Sequence, residues 1–354
     1  MILESKNFIA IPPGETIKEQ LEDRGMTQKE FAARMGMSEK HISKLINGGV
    51  HLMPDVAEKL ELVLGVPARF WNKLEAIYQE KLAKVRNENE LEEEIEFAKR
   101  YPYNKIADWG MVPKTNKWPE RVTYLCKYFE VGHLKLLQGG TLMPVICRKL
   151  SDTQKSTYIT YTLAQYAKVK AREIATAPFC ADTLRKKLPQ IRALTKRERL
   201  DFEAELVDIL KSCGVALVCL PSVPGSFLHG ITFYDGNTNK IVLGITTRGK
   251  YADRFWFSLF HEIGHILEGH IYQEEGTSEN DEKSADKMAA EILIPAAELK
   301  KFYQEADYSA SAIEGFADSL GVGIDIVIGR LQNDKKIGQD RMNRYKKKYE
   351  EIAS

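Results

Sequence analysis

The sequence predicts a multidomain α+β protein: an all-α amino-terminal domain, a helical middle region, and a carboxy-terminal domain in which helices accompany a short sheet. Three observations carry that expectation. With 354 residues, 44% of them hydrophobic, the chain can bury more than one core. In the first eighty or so residues, Pro stands at helix starts and Gly just past helix ends, cutting the sequence into short helical runs. From Thr195 onward, one helical run is followed by short apolar runs of strand length and then by two more helices. The expected boundaries are 1–85, 86–194 and 195–354.

Taken in order, helices are expected at 16–24 (ended by Gly25), Gln28–Met35 (ended by Gly36), from Ser38 to Asn47-Gly48, at Pro54–Leu64 (ended by Gly65), and from Pro67 past Tyr78. The acidic stretch 86–96 reads as a solvated helical linker, and 97–194 as helical runs at 120–130 and 152–176 with no motif that carries chemistry. Thr195 and Glu198 read as a capping box for a helix whose apolar stripe is Phe202, Leu206, Ile209 and Leu210, closed by Gly214. Val215–Leu220 reads as a buried strand, and 229–234 with Lys240–Thr246 as a hairpin around Asp235-Gly236-Asn237. A helix carrying Phe255-Trp256-Phe257 runs into His261, and another covers 281–293.

Composition excludes several classes of function. The 51 basic residues balance 50 acidic ones, so a protein coated in positive charge for bulk nucleic-acid binding is ruled out, and any DNA contact must come from a local patch. No apolar run approaches the roughly 18–20 residues that span a bilayer, and the first residues lack the layout of a secretory signal. Cys126, Cys147, Cys180, Cys213 and Cys219 are scattered and contain no CxxC pair. Reduced thiols in a cytoplasmic protein, with no membrane partner, are expected.

The first chemistry-bearing pattern opens at Gln28. Phe31, Met35, Met37, Ile42 and Leu45 fall where two short helices must pack, Ala32 where only a small side chain lets them approach, and Gly36 in the turn, where φ > 0 is needed. Ser38 can cap the second helix. That helix would expose Glu39, Lys40, His41, Ser43 and Lys44 to base edges, while Gln28, Lys29 and Asn47 could hold phosphates. The competing reading is a small helical bundle used for dimerisation or partner binding. From Pro12-Pro13-Gly14-Glu15 to Phe70-Trp71-Asn72-Lys73-Leu74-Glu75 the segment resembles the Cro/C1-type (XRE) helix-turn-helix family, and within it the HigA-type antidote branch. The resemblance implies a symmetric homodimer on a palindromic operator in double-stranded DNA, and repression of a toxin–antitoxin operon.

The second pattern is His261-Glu262-Ile263-Gly264-His265, an HExxH. On a helix, residues four apart share a face, so both imidazoles can reach one tetrahedral zinc ion. Glu262 would then stand beside a water that zinc acidifies, placed to accept its proton and pass it to a leaving amine. The flanks are apolar, and a buried His pair on one face needs partners. In the next helix the apolar stripe is Ala285, Met288, Ala289 and Ile292, and Glu282 lies one turn before it; a carboxylate there either frays into solvent at the helix start or is paired inside, and Glu282 is expected as the third zinc ligand. Asp286 is either an acceptor from a ligand imidazole or a solvated helix residue. His270 is a rival ligand, but the spacing HExxHxxGxxH fails by one place, so a structural or substrate-facing role is expected for it.

Phe255-Trp256-Phe257-Ser258-Leu259-Phe260-His261-Glu262-Ile263-Gly264-His265, with Glu282-x-x-Ala285-x-x-x-Ala289-Ala290-x-x-Leu293-x-Pro295, is similar to the ImmA/IrrE family of zinc metallopeptidases from about Phe202 to Leu331. Met288 stands where that family usually has Phe. The resemblance implies a zincin-like fold, His261, His265 and Glu282 as ligands, Glu262 as the catalytic carboxylate, and, for some members, cleavage of transcriptional repressors. Lesser features admit two readings each. Arg248 and Arg254 could polarise a substrate carbonyl or form salt bridges, and Tyr251 and Tyr272 could stabilise an oxyanion or simply pack. Lys240–Thr246 could offer a sheet edge to substrate or lie inside the sheet. The basic run from Arg341 to Lys348 could touch DNA phosphate or end a solvated helix.

Two functions follow. The first is a DNA-binding, antitoxin-like regulator carrying a zinc-dependent endopeptidase that hydrolyses a peptide bond in a regulatory protein. The second is a non-catalytic antitoxin or repressor whose carboxy-terminal domain binds a cognate toxin or senses a signal.

Overall fold

The computed structural model describes residues 2–138, 146–147, 154–226, 228–246, 251–273 and 277–349. The architecture is multidomain α+β, and the chain divides into two compact units, Met1–Glu96 and Phe97–Ser354.

The first unit opens with a two-stranded antiparallel ribbon, β1 (Leu3–Glu4) and β2 (Ile9–Ala10), followed by helices α1 (Pro13–Asp23), α2 (Gln28–Met35), α3 (Glu39–Ile46) and α4 (Pro54–Leu64). A fifth helix, α5 (Ala68–Ala98), runs through the acidic stretch without a break. Ile17, Phe31, Ile42, Ile46, Leu60 and Trp71 form the fully buried centre. Thr27 caps α2 by accepting from the Glu30 amide at 3.2 Å, and Gly36 ends it in the left-handed region at φ 63°. Gly14 has a packing role: a Cβ there would overlap the backbone of Ile46, so only glycine lets α1 lie against the end of α3.

The second unit begins with α6 (Tyr103–Asp108) and α7 (Trp118–Phe129), then β3 (Ile146–Cys147), α8 (Gln154–Arg172), α9 (Ala181–Ala193) and α10 (Arg199–Ser212). Strands β4 (Val215–Leu220), β5 (Gly230–Asp235) and β6 (Lys240–Thr246) follow, then α11 (Ala252–Leu267), α12 (Glu279–Leu293), α13 (Ala296–Glu305), α14 (Ala310–Leu320) and α15 (Ile324–Asn333). The sheet order is β3-β5-β6-β4, with β4 and β6 parallel and the other pairs antiparallel. The side-chain period of two assigns each strand residue to a face. Val215, Leu217, Ile241, Leu243 and Ile245 pack into the core built by α9–α11 and the carboxy-terminal helices. Ala216, Val218, Ile231, Phe233 and Val242 pack on the other side against Ile159, Leu163 and Ala167 of α8. The sheet is therefore covered on both faces, which is why β4 and β6 read as continuous apolar runs.

The structure decides between the two readings of one strand and corrects two further expectations. Lys240–Thr246 is an interior strand, bonded to β4 on one side and β5 on the other, so it offers no free edge. Thr195 does not cap α10: its hydroxyl donates to the Arg192 carbonyl at 2.8 Å and accepts from the Gly323 amide at 3.0 Å, and Glu198 occupies the cap without a side-chain bond. The basic run 341–348 lies beyond the end of α15 and is only partly solvated: Arg341, Arg344 and Lys348 are exposed, but Lys346 and Lys347 are not. It returns along the domain, where buried Lys346 pairs with Asp253 at 2.6 Å and Lys347 donates to the carbonyls of Thr195, Lys196 and Arg197.

Candidate metal centre and DNA-reading helix

Helix α11 is buried over almost its whole circumference, held between the sheet and α12, so His261, Glu262 and His265 are each 1% exposed. Burial of three polar side chains is tolerable only if they find partners. The first partner comes from α12. Ser278 and Asp281 form a reciprocal capping box that fixes the start of that helix. Gly264 then allows the two helices to approach, since a Cβ at that position would already stand 3.1 Å from the Ala285 Cα. This crossing carries Glu282 over the imidazoles, with Oε2 at 3.3 Å from His261 Nε2 and Oε1 at 3.5 Å from His265 Nε2. The two Nε2 atoms are 3.0 Å apart, and all three donor groups lie within 4.8 Å of one another.

The far side of each imidazole is also held. His261 Nδ1 lies 2.8 Å from Asp286 Oδ1. His265 Nδ1 lies 3.0 Å from His270 Nδ1, and His270 Nε2 lies 3.1 Å from Asp281 Oδ1. One proton assignment satisfies the three contacts on the far side: His261 donates from Nδ1 to Asp286, His265 donates from Nδ1 to His270, and His270 donates from Nε2 to Asp281. It leaves both ligand-side Nε2 lone pairs pointing into the same space, as coordination requires. Two neutral imidazoles and a carboxylate suit zinc in a site with one position open. Burial alone would raise the Glu282 carboxyl, but its closeness to the His261 and His265 rings and the hydrogen bond from the Thr277 hydroxyl outweigh it and hold the group well below the usual carboxylate range.

Glu262 sits beside this cluster. Burial raises its pKa above the ordinary carboxylate value, against the lowering influence of His261, His265 and a hydrogen bond from the Thr232 hydroxyl. A Cβ at Gly230 would overlap the Glu262 carboxylate, so β5 can pass this close only with glycine at that position. Raised in this way, the group is suited to take up and release a proton.

The structure thus brings together His261, His265, Glu282, Glu262 and Asp286. His270 is no ligand in this arrangement; it orients His265. Sequence reasoning missed Asp281, Thr232 and Gly230. Asp281 was legible as the third residue of a Ser-x-x-Asp cap, and Thr232 as a polar residue on the core side of an apolar strand. Tyr251 packs under Lys346 and Lys348, and Tyr272 against Tyr234 at 5.3 Å between ring centroids. Arg248 lies outside the described residues.

In the first unit, Ser38 accepts from the His41 amide at 3.2 Å and so caps α3 rather than pointing away from it. Asn47 ends the same helix, its side-chain amide donating to the Ser43 carbonyl at 2.8 Å. Gln28, Glu39, Lys40, Ser43 and Lys44 are exposed, and His41 is half-buried.

Comparison with known proteins fits both patterns. Residues 17–71 match the helix-turn-helix family. A 63-residue stretch is 33% identical to the uncharacterized HTH-type transcriptional regulator YddM of Escherichia coli (strain K12), covering 18% of this chain and 67% of that protein. The chain belongs to the helix-turn-helix family. Its helix-turn-helix region is also 48% identical over 59 residues to antitoxin HigA-1 of Vibrio cholerae, covering 16% of this chain and 55% of that protein. Residues 230–332 match the IrrE N-terminal-like domain of the M78 peptidases, an interval that holds Glu262 and all three candidate metal ligands.

Proposed function

We propose that this helix-turn-helix protein is a transcriptional regulator whose carboxy-terminal domain is a zinc-dependent endopeptidase acting on a peptide bond in another regulatory protein. The reading rests on one observation: His261 Nε2, His265 Nε2 and the Glu282 carboxylate converge in a buried site, with the Glu262 carboxylate alongside.

Zinc bound by these three residues would supply Lewis-acid polarisation of the substrate carbonyl and of the attacking water. The protein supplies the rest. Asp286 and His270 fix the two imidazoles in the tautomer that leaves Nε2 unprotonated. Glu262 accepts the water proton on its carboxylate and returns it to the leaving amine, and the Thr232 hydroxyl holds that carboxylate in place. The apolar wall of α11 keeps bulk water away. In the amino-terminal module, Lys40, His41, Ser43 and Lys44 read base edges while Gln28 and Asn47 hold phosphates, as a homodimer on a palindromic operator.

Native mass spectrometry of the wild type and Glu282→Ala tests the site. One zinc per chain, weakened or lost in the variant, is expected; a metal-free wild type prepared without chelator would sink the peptidase reading. The likeness to antitoxin HigA-1 supports a second reading, in which the chain neutralises a cognate toxin without catalysis. Glu262→Gln separates the two: lost biological activity with zinc retained supports the peptidase, and unchanged activity supports the antitoxin.

A further inference from the structure

Beside the metal centre lies a cavity of about 640 Å³, in the size range of ligand pockets. Two lining residues tie it to the centre. Asp286 is the carboxylate on His261, and His229 immediately precedes Gly230, the glycine packed against Glu262. Along α11, Arg254 and Ser258 lie seven and three residues before His261, on the face that carries it. The cavity is therefore walled in part by the two helices that carry the candidate ligands, one to two turns along α11 from His261.

Its charge is unbalanced. Of its cations, Lys346 is matched by Asp253 at 2.6 Å and Arg330 by Asp334 at 2.7 Å. Asp286 is committed to His261. Arg254 and Lys287 both line the cavity, both are exposed, and neither has a carboxylate partner among the described residues. A guanidinium and an ammonium facing a partly enclosed space favour a carboxylate occupant and repel a cationic one.

We propose that this cavity is a specificity pocket of the peptidase site and takes an acidic side chain of the substrate polypeptide near the bond to be cut. The assignment rests on the peptidase reading above. The wall shared with the metal centre, through Asp286 on His261 and His229 next to Gly230, favours a side chain of the polypeptide held at that centre over a free anion.

The test uses the full chain carrying Glu262→Gln, so that bound peptide is not consumed, with zinc content checked in the same samples. Two fluorescein-labelled peptides, identical except that Glu in one is replaced by Lys in the other, are titrated by fluorescence anisotropy. The Glu peptide is expected to bind at least about tenfold more tightly. The double charge reversal Arg254→Glu/Lys287→Glu should abolish or invert that preference with an unchanged melting temperature, since both residues are exposed. Equal binding of the two peptides to zinc-loaded protein, or a preference that survives the reversal, overturns the pocket and leaves the peptidase reading standing. Binding of inorganic phosphate with neither peptide bound would assign the cavity to a small anion and overturn it as well. A Glu preference on protein that takes up no zinc would instead overturn the peptidase reading, and with it the role of the cavity as a specificity site.

Discussion

His265 and His270 meet through their Nδ1 atoms at 3.0 Å, so one candidate ligand imidazole is oriented by a second imidazole, and the carboxylate of Asp281 stands one link further out. His261, by contrast, meets its carboxylate directly. The two ligands are supported unequally, and removing the relay should weaken the site without dismantling it. His270→Ala is expected to lower zinc affinity about 10- to 100-fold, the usual cost of losing an outer-shell partner. Competition against a chromogenic chelator measures this; an unchanged affinity would remove His270 from the site.

Gly264 sets the approach of α11 to α12. Gly264→Val should cost about 1–3 kcal/mol by overpacking. It should also lower zinc uptake, because it pushes Glu282 away from the imidazoles. Thermal unfolding and metal content, measured on the same preparation, check both parts. A variant with wild-type melting and full zinc loading would contradict the packing argument.

Burial pushes the Asp325 carboxyl up to about 6, even though Lys347 and Lys346 attract its charge, and neither of its oxygens has a hydrogen-bond partner in another residue among the described ones. The folded pKa lies above the unfolded one, so folding favours the protonated form. Stability from this group is full below about pH 4 and is lost as pH rises through about 6. Asp325→Asn should therefore raise the melting temperature at pH 7.5, by the equivalent of about 2–3 kcal/mol at most, and change little at pH 4. A destabilised variant at pH 7.5 would show that attraction to the lysines outweighs the burial cost.

Lys29 and Lys40 are both exposed, at the start of α2 and in the first turn of α3. Placed to hold phosphate, Lys29→Ala should weaken binding to all DNA sequences alike and reduce the salt slope by about one. Lys40→Ala should change the preference among sequences. Electrophoretic mobility shifts over a salt series, with DNA from upstream of the gene and with unrelated DNA, distinguish the two. Identical behaviour of the two variants would count against α3 as the reading helix.

The sequence was most legible where a function sits inside one short stretch. Gly36 in the turn, Ser38 at the cap and the pair His261/His265 on one helical face all follow from spacing of a few residues, and the structure places them accordingly. Glu282 was reachable because a carboxylate on an apolar stripe demands a partner. What stayed hidden depends on distant segments meeting. Thr195 has a capping residue's neighbours in sequence, but its hydroxyl is taken by the Gly323 amide, 128 residues away. Lys346 reads as a solvated basic residue until the tail folds back onto Asp253. No local pattern in 97–194 announces that α8 lines the sheet, because its apolar face becomes meaningful only opposite strands that follow it by some fifty residues or more.

That last arrangement bears on how the carboxy-terminal half can be handled. A fragment starting at Thr195 keeps all three candidate ligands and Glu262, yet it loses α8 and β3. Ala216, Val218, Ile231, Phe233 and Val242 would then form a bare greasy plane beside an uncapped strand edge. Such a surface is a template for self-association. Inactivity in that fragment would reflect aggregation and not the chemistry of its metal site.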